Sequence, residues 1–91
     1  MTHKILIVDD EPNIVVSLEF LMQKSGFEVS VARDGEQALS RMAAFQPDLV
    51  LLDIMLPKLN GYEVCQKIRA NSEWDRVKIV MPEDFTMPPG G

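Results

Sequence analysis

Ile5-Leu6-Ile7-Val8-Asp9-Asp10-Glu11-Pro12 is four aliphatic residues, three of them β-branched, that break off into three acids and a proline. A continuous apolar run, rather than an alternating one, marks a strand buried on both faces, as in a parallel sheet covered by helices. The proline suits the first turn of a helix, with Asp10 or Glu11 as its cap. Ile14, Leu18 and Leu21 then fall at i, i+4 and i+7, flanked by Val15 and Met22, which predicts a helical apolar stripe. Ser25-Gly26 ends that helix. A second run of the same kind, Asp48-Leu49-Val50-Leu51-Leu52, ends in Asp53. Two buried strands that each deliver acid at the carboxyl end fix the class. Open α/β sheets bind their ligands there, where the winding direction reverses.

The remaining segments complete an alternation. Residues 27–32 place Phe27, Val29 and Val31 against Glu28 and Ser30, a half-exposed strand at a sheet edge. Asp34-Gly35 is a turn. Residues 36–45 read as a helix with Ala38, Leu39 and Met42 inward, stopped by Pro47. Residues 57–61 form a loop, and 62–70 a helix with Val64, Cys65 and Ile68 on one face. A polar connection over 71–76 leads to a fourth strand over 77–81. The order β-α-β-α-β-α-β predicts right-handed crossovers and a parallel sheet. Residues 82–91 hold three prolines and two glycines and show no period, so they read as a tail or linker after a domain spanning 1–81.

Composition narrows the function. The chain has 91 residues, enough for one domain, and is 46% hydrophobic and 25% charged, as folded proteins are. A net charge of -5 without a basic stripe argues against non-specific binding to nucleic acid or anionic membrane. The single cysteine, Cys65, excludes an intramolecular disulfide and suits a reducing compartment; it reads as a small buried hydrophobe. The longest apolar run, 49–52, is far too short to span a bilayer. The first four residues enter a strand with no signal-peptide architecture, so the expected location is cytoplasmic. His3 has no partner motif and reads as solvent-exposed. Trp74 either covers the third helix or anchors a partner.

Asp9, Asp10 and Asp53 converge if the first and third strands are neighbours. Three packed carboxylates raise one another's pKa unless a cation intervenes, and a hard divalent ion with few protein ligands is the Mg²⁺ pattern. Asp10 alone would serve equally as a helix cap. Asp53 is followed by Ile54-Met55-Leu56-Pro57 and has no helix to cap.

Ile5 through Pro12, Asp34-Gly35-Glu36-Gln37-Ala38-Leu39, and Pro47 through Pro57 with Gly61 resemble the receiver domain of two-component response regulators, over residues 4–81. The resemblance implies a flavodoxin-like, doubly wound parallel α/β sheet. The family has five strands in the order 2-1-3-4-5; four are expected here, in the order 2-1-3-4. It also implies that Asp53 is the phosphoacceptor. Asp9, Asp10, Asp53 and the backbone carbonyl of Met55 would be ligands of Mg²⁺, and Pro57 and Gly61 would shape the loop after the acceptor. The donor would be a sensor histidine kinase, a phosphotransfer protein or a small acyl phosphate. The domain would catalyse only its own phosphorylation and dephosphorylation and is no enzyme in the ordinary sense. An output domain would complete the full-length protein, and this domain itself would touch neither nucleic acid nor membrane.

After Met81 the pattern departs. Pro82-Glu83-Asp84 stands where receivers carry a Ser or Thr-Ala pair, and Thr86 is off register. The family's Lys-Pro, fourth and fifth helices and fifth strand are missing. Each lost electrostatic donor commonly costs about 10²–10³ in rate, so phosphorylation is expected to be impaired. The alternative is a non-switching fragment that serves as an interaction module. Without the last strand and helix one face of the sheet would lose part of its cover and the fourth strand would become an edge, which predicts a homodimer by edge pairing or strand exchange. Two other classes are weak. An aspartyl phosphatase wants a second Asp two residues after the first, where Met55 stands, and no Gly-x-Gly-x-x-Gly follows the first strand.

Overall fold

The computed structural model describes residues 3–54, 56 and 58–81. The chain order is β1 (Lys4–Val8), α1 (Pro12–Lys24), β2 (Glu28–Ala32), α2 (Gly35–Phe45), β3 (Leu49–Leu52), α3 (Gly61–Ala70), a 3₁₀ turn (Ser72–Trp74) and β4 (Lys78–Val80). The four strands form one parallel sheet in the order β2-β1-β3-β4. This is the flavodoxin-like order expected above, with β1 and β3 adjacent at its centre.

Local sequence explains where each helix begins. Glu11 occupies the cap position of α1 but makes no side-chain cap bond, and Pro12 follows at the first helical position. The expected cap by Asp10 or Glu11 is thus replaced: Asp9 Oδ1 accepts the Glu11 N–H at 2.9 Å. Asp34 caps α2 by accepting the Gln37 N–H at 2.8 Å. Asn60 and Glu63 form a reciprocal capping box at α3. Gln46 ends α2 in the left-handed region, φ 54°, just before Pro47.

The two faces of the sheet are unequal. On one, α2 and α3 bury Leu6, Val8, Ala38, Met42, Val50, Leu52, Val64 and Ile68 in the larger core. On the other, α1 alone covers Ile5 and Ile7 through Val15, with Leu18 and Met22 half-buried. Ile14 and Leu21, expected inward, are instead 47% and 55% exposed. The stripe is rotated because α1 lies over β1 and β2 and, among the described residues, has no helix beside it on that face. For the same reason β3, expected to be buried on both faces, hides Val50 and Leu52 while Leu49 and Leu51 are half-exposed. Trp74 packs, half-buried, against the larger core beside α3. The expectations for residues 82–91, Met55 and Pro57 fall outside the described residues.

Candidate functional site

Backbone hydrogen bonds bring the acids together. The Asp53 N–H donates to the Val8 carbonyl at 2.9 Å, which extends the β1–β3 ladder by one step past Leu52. The Asp9 N–H donates to the Ala32 carbonyl of β2 at 3.1 Å, so this residue is held on the other side of β1. The bond from Glu11 to Asp9 Oδ1 then turns the chain into α1 and leaves Asp10 at the surface. One carboxylate oxygen from each of Asp9, Asp10 and Asp53 lies within 4.8 Å of the others.

The backbone of Asp53 is held from the far side as well. The Gly61 N–H, at the start of α3, donates to the Ile54 carbonyl at 2.9 Å. The approach is so close that a Cβ on Gly61 would overlap the Asp53 carbonyl oxygen and lie 2.8 Å from the Ile54 Cα. Lys58 sits in the left-handed region at φ 70° and places its ammonium 3.9 Å from both Asp34 and Glu36, tying the loop after Asp53 to the start of α2.

No ion pair among the described residues reaches the three acids. Burial pushes the Asp9 carboxyl above its ordinary value. The Glu11 N–H pulls it back, and the charges of Asp53, Asp10 and Glu11 push it up further. Hard oxygen donors converging with excess negative charge match the donor set of a hard divalent cation, Mg²⁺ or Ca²⁺, and do not match soft metals.

A pH effect follows from Asp9. Because its folded-state pKa is raised, the metal-free native chain holds more protons here than the unfolded chain does. The Asp9 contribution to stability is therefore lost as pH rises through the raised value and regained on acidification. Without metal, thermal melts compared between pH 7 and pH 4, a span that reaches down toward the ordinary carboxylate value, should show a smaller acid destabilisation for the parent than for Asp9→Asn, in which this relief is absent. Saturating Mg²⁺ should abolish the difference by favouring the ionised form.

The face expected to lose part of its cover carries a groove that the sequence did not place. A groove of about 700 Å³ runs along the uncovered face, lined by Ile7, Ile14, Leu18, Leu49, Leu51 and Val80, with Asp9 and Asp53 at one end. Its signal was the helix count: three crossovers leave one face of a four-stranded sheet with a single helix. The expected solvent exposure of His3 holds, although it lies 3.7 Å from Asp48 and is tilted against Phe27. No described helix is long and apolar enough to cross a membrane.

Comparison with known proteins adds the family. Residues 5–85 match the profile of the response regulator receiver domain. The chain is 51% identical over 69 residues to the alkaline phosphatase synthesis transcriptional regulatory protein PhoP of Bacillus subtilis, covering 76% of this chain and 29% of PhoP. It is 38% identical to the DNA-binding response regulator MtrA of Mycolicibacterium smegmatis, covering 98% of this chain and 45% of MtrA. It thus spans less than half the length of either relative. Among solved structures, the chemotaxis response regulator CheY4 of Vibrio cholerae superposes with a TM-score of 0.86 at 30% identity, covering 89% of this chain and 68% of that one. The receiver domain of a sensor histidine kinase from Pseudomonas aeruginosa superposes with a TM-score of 0.83 at 32% identity, covering 89% and 66%. That crystal structure has a magnesium ion coordinated in the active-site cleft.

Proposed function

This chain belongs to the response regulator receiver domain family, and from that premise we propose that Asp53 accepts a phosphoryl group in two-component signalling. The observation that carries this reading is the convergence of Asp9, Asp10 and Asp53 at the carboxyl end of the central strands, one carboxylate oxygen of each within 4.8 Å of the others.

Asp53 is the nucleophile. One of its carboxylate oxygens attacks phosphorus in line with the departing nitrogen of a kinase phosphohistidine, or with the oxygen of a small acyl phosphate. The new P–O bond makes an acyl phosphate on Asp53 as the donor bond breaks, and the donor keeps the bonding pair. Ionised Asp53 is required, and the β1–β3 ladder and the start of α3 fix its backbone for that attack. Asp9, Asp10 and Asp53 fit Mg²⁺, which when bound offsets the charge gathering on the phosphoryl oxygens. The chemistry is confined to the domain's own modification, so the chain is a signalling element with no separate substrate to turn over. A sensor histidine kinase is the proposed donor. By likeness to MtrA, a DNA-binding output is proposed for any full-length form, in the cytoplasm.

A second reading, a receiver fragment that binds partners without switching, is favoured by the uncovered face and its groove. One experiment separates the two. Incubation with Mg²⁺ and acetyl phosphate should add a phosphate adduct, seen by intact mass, and Asp53→Asn should lose it entirely. If no adduct forms while Mg²⁺ still binds, the phosphoacceptor reading falls and the second stands.

A further inference from the structure

The segments that leave β2 and β3 flank β1, the strand that delivers Asp9 and Asp10, and one side chain joins them. The Asp9 N–H is held by the Ala32 carbonyl at the end of β2, and the Asp53 N–H by the Val8 carbonyl at the end of β1. Just past Ala32 stands Asp34, the one buried charged residue among those described. Its Oδ1 accepts the Gln37 N–H as the cap of α2, and its Oδ2 lies 3.9 Å from the Lys58 ammonium. Lys58 stands in the loop after Asp53 with φ 70°. A residue with a Cβ adopts that region at a cost, and glycine would hold the same turn with less strain. A lysine kept there argues that the position requires its side chain. The loop also rests on the first residue of α2. A Cβ on Gly35 would overlap the Leu59 Cβ and lie 2.7 Å from the Leu59 carbonyl oxygen. At its root the loop is pinned by the bond from the Gly61 N–H to the Ile54 carbonyl.

We propose that Lys58 is a positioning residue of the site formed by Asp9, Asp10 and Asp53: its ion pair with Asp34 ties the end of β2 to the loop after β3 and so holds Asp53 within reach of the other two acids. The inference rests on reading those acids as an Mg²⁺ site. Asp34 matters more here than Glu36, although both lie 3.9 Å from the ammonium, because the Asp34 side chain is 13% exposed and that of Glu36 is 66% exposed. Water screens the outer pair and leaves the inner one stronger. A buried carboxylate left without a cation is costly, so Asp34 draws the loop toward α2. Metal ligands must be held to within about 0.5 Å, and the braced loop begins at the residue next to Asp53. Charge alone predicts the opposite effect. A cation near an acidic pocket repels Mg²⁺, so its removal would tighten metal binding. Positioning predicts that removal weakens it, and the sign separates the two.

The test is Mg²⁺ affinity by isothermal titration calorimetry at fixed ionic strength, with amide hydrogen exchange of the metal-free chain as a second readout. Lys58→Met keeps the stem and removes the charge. It should weaken Mg²⁺ binding at least about 3-fold and speed exchange of the Asp53 and Gly61 amides by a similar factor, while the Leu6 and Ile7 amides of the central strand exchange as in the parent. Lys58→Arg should restore most of both. Asp34→Asn keeps an oxygen for the cap of α2 and loses the charge. It should weaken Mg²⁺ as Lys58→Met does, and the two changes together should weaken it no further. Glu36→Gln should shift the affinity by less than about 1.5-fold. Equal or tighter Mg²⁺ binding in Lys58→Met, additive losses in the double variant, or exchange that is unchanged or speeded equally at Leu6 and Ile7 overturns the positioning role and leaves the metal site standing. A parent chain that binds no Mg²⁺ overturns the metal-site reading and the positioning role with it.

Discussion

Gly61→Ala should destabilise the domain by at least about 3 kcal/mol and abolish Mg²⁺ binding to whatever fraction remains folded. The added methyl would land on the Asp53 carbonyl oxygen and within 2.8 Å of the Ile54 Cα. Both are backbone atoms, so no side chain can rotate away. Relief requires α3 to retreat, which unseats Val64 and Ile68 from the core, or β3 to shift, which moves Asp53 off Asp9 and Asp10. A domain of this size has about 5–10 kcal/mol of stability, so either route consumes much of it. Urea unfolding followed by Trp74 fluorescence measures the loss, since Trp74 packs against that same core. Gly26→Ala is the control. Gly26 has φ 96° with no atom near its missing Cβ, so that change costs conformational strain alone, about 1 kcal/mol. Equal losses in the two variants would show that the contact between α3 and Asp53 is not tight.

The same contact shows what the sequence could and could not supply. The four strands, their parallel sense and the acids at two strand ends were legible because they follow from local signals: unbroken aliphatic runs, acid at two strand ends and helices between. Which strands are neighbours, and so whether the acids meet, came from the resemblance to receiver domains, because right-handed crossovers set the face each helix covers and not the strand order. That one face would be poorly covered was legible from the missing family elements; which residues of α1 would then be exposed was not. The spacing of Ile14, Leu18 and Leu21 is a sound helical stripe, but spacing gives the width of an apolar face and not its direction. With no second helix beside α1 among the described residues, Val15 takes the buried place, Ile14 lines the groove and Leu21 is left exposed. Likewise Leu49-Val50-Leu51-Leu52 announces apolarity on both sides and is silent on whether both are filled. The ties on the loop after Asp53 were hidden for another reason. Lys58 lies more than twenty residues from Asp34 and Glu36, and no periodicity links residues so far apart.

That asymmetry can be measured with one residue type at consecutive positions. Leu52 is 1% exposed in the core beneath α2 and α3, whereas its neighbour Leu51 faces the groove and is half-exposed. Leu52→Ala leaves a closed cavity in the core it shares with Val8, Val64 and Ile68 and should cost about 3–4 kcal/mol, a large share of the total stability. Leu51→Ala removes a side chain that water already touches. No closed cavity forms, and the loss should be about 1 kcal/mol, the transfer term of a half-buried group. Chemical denaturation of the two variants gives both numbers, with equal m-values expected because the unfolded chains expose nearly the same surface. If Leu51→Ala instead cost as much as Leu52→Ala, something would cover the α1 face in solution. Repeating the measurement at low protein concentration identifies it: a cost that falls on dilution belongs to a second copy of the chain, and one that persists belongs to residues of the same chain.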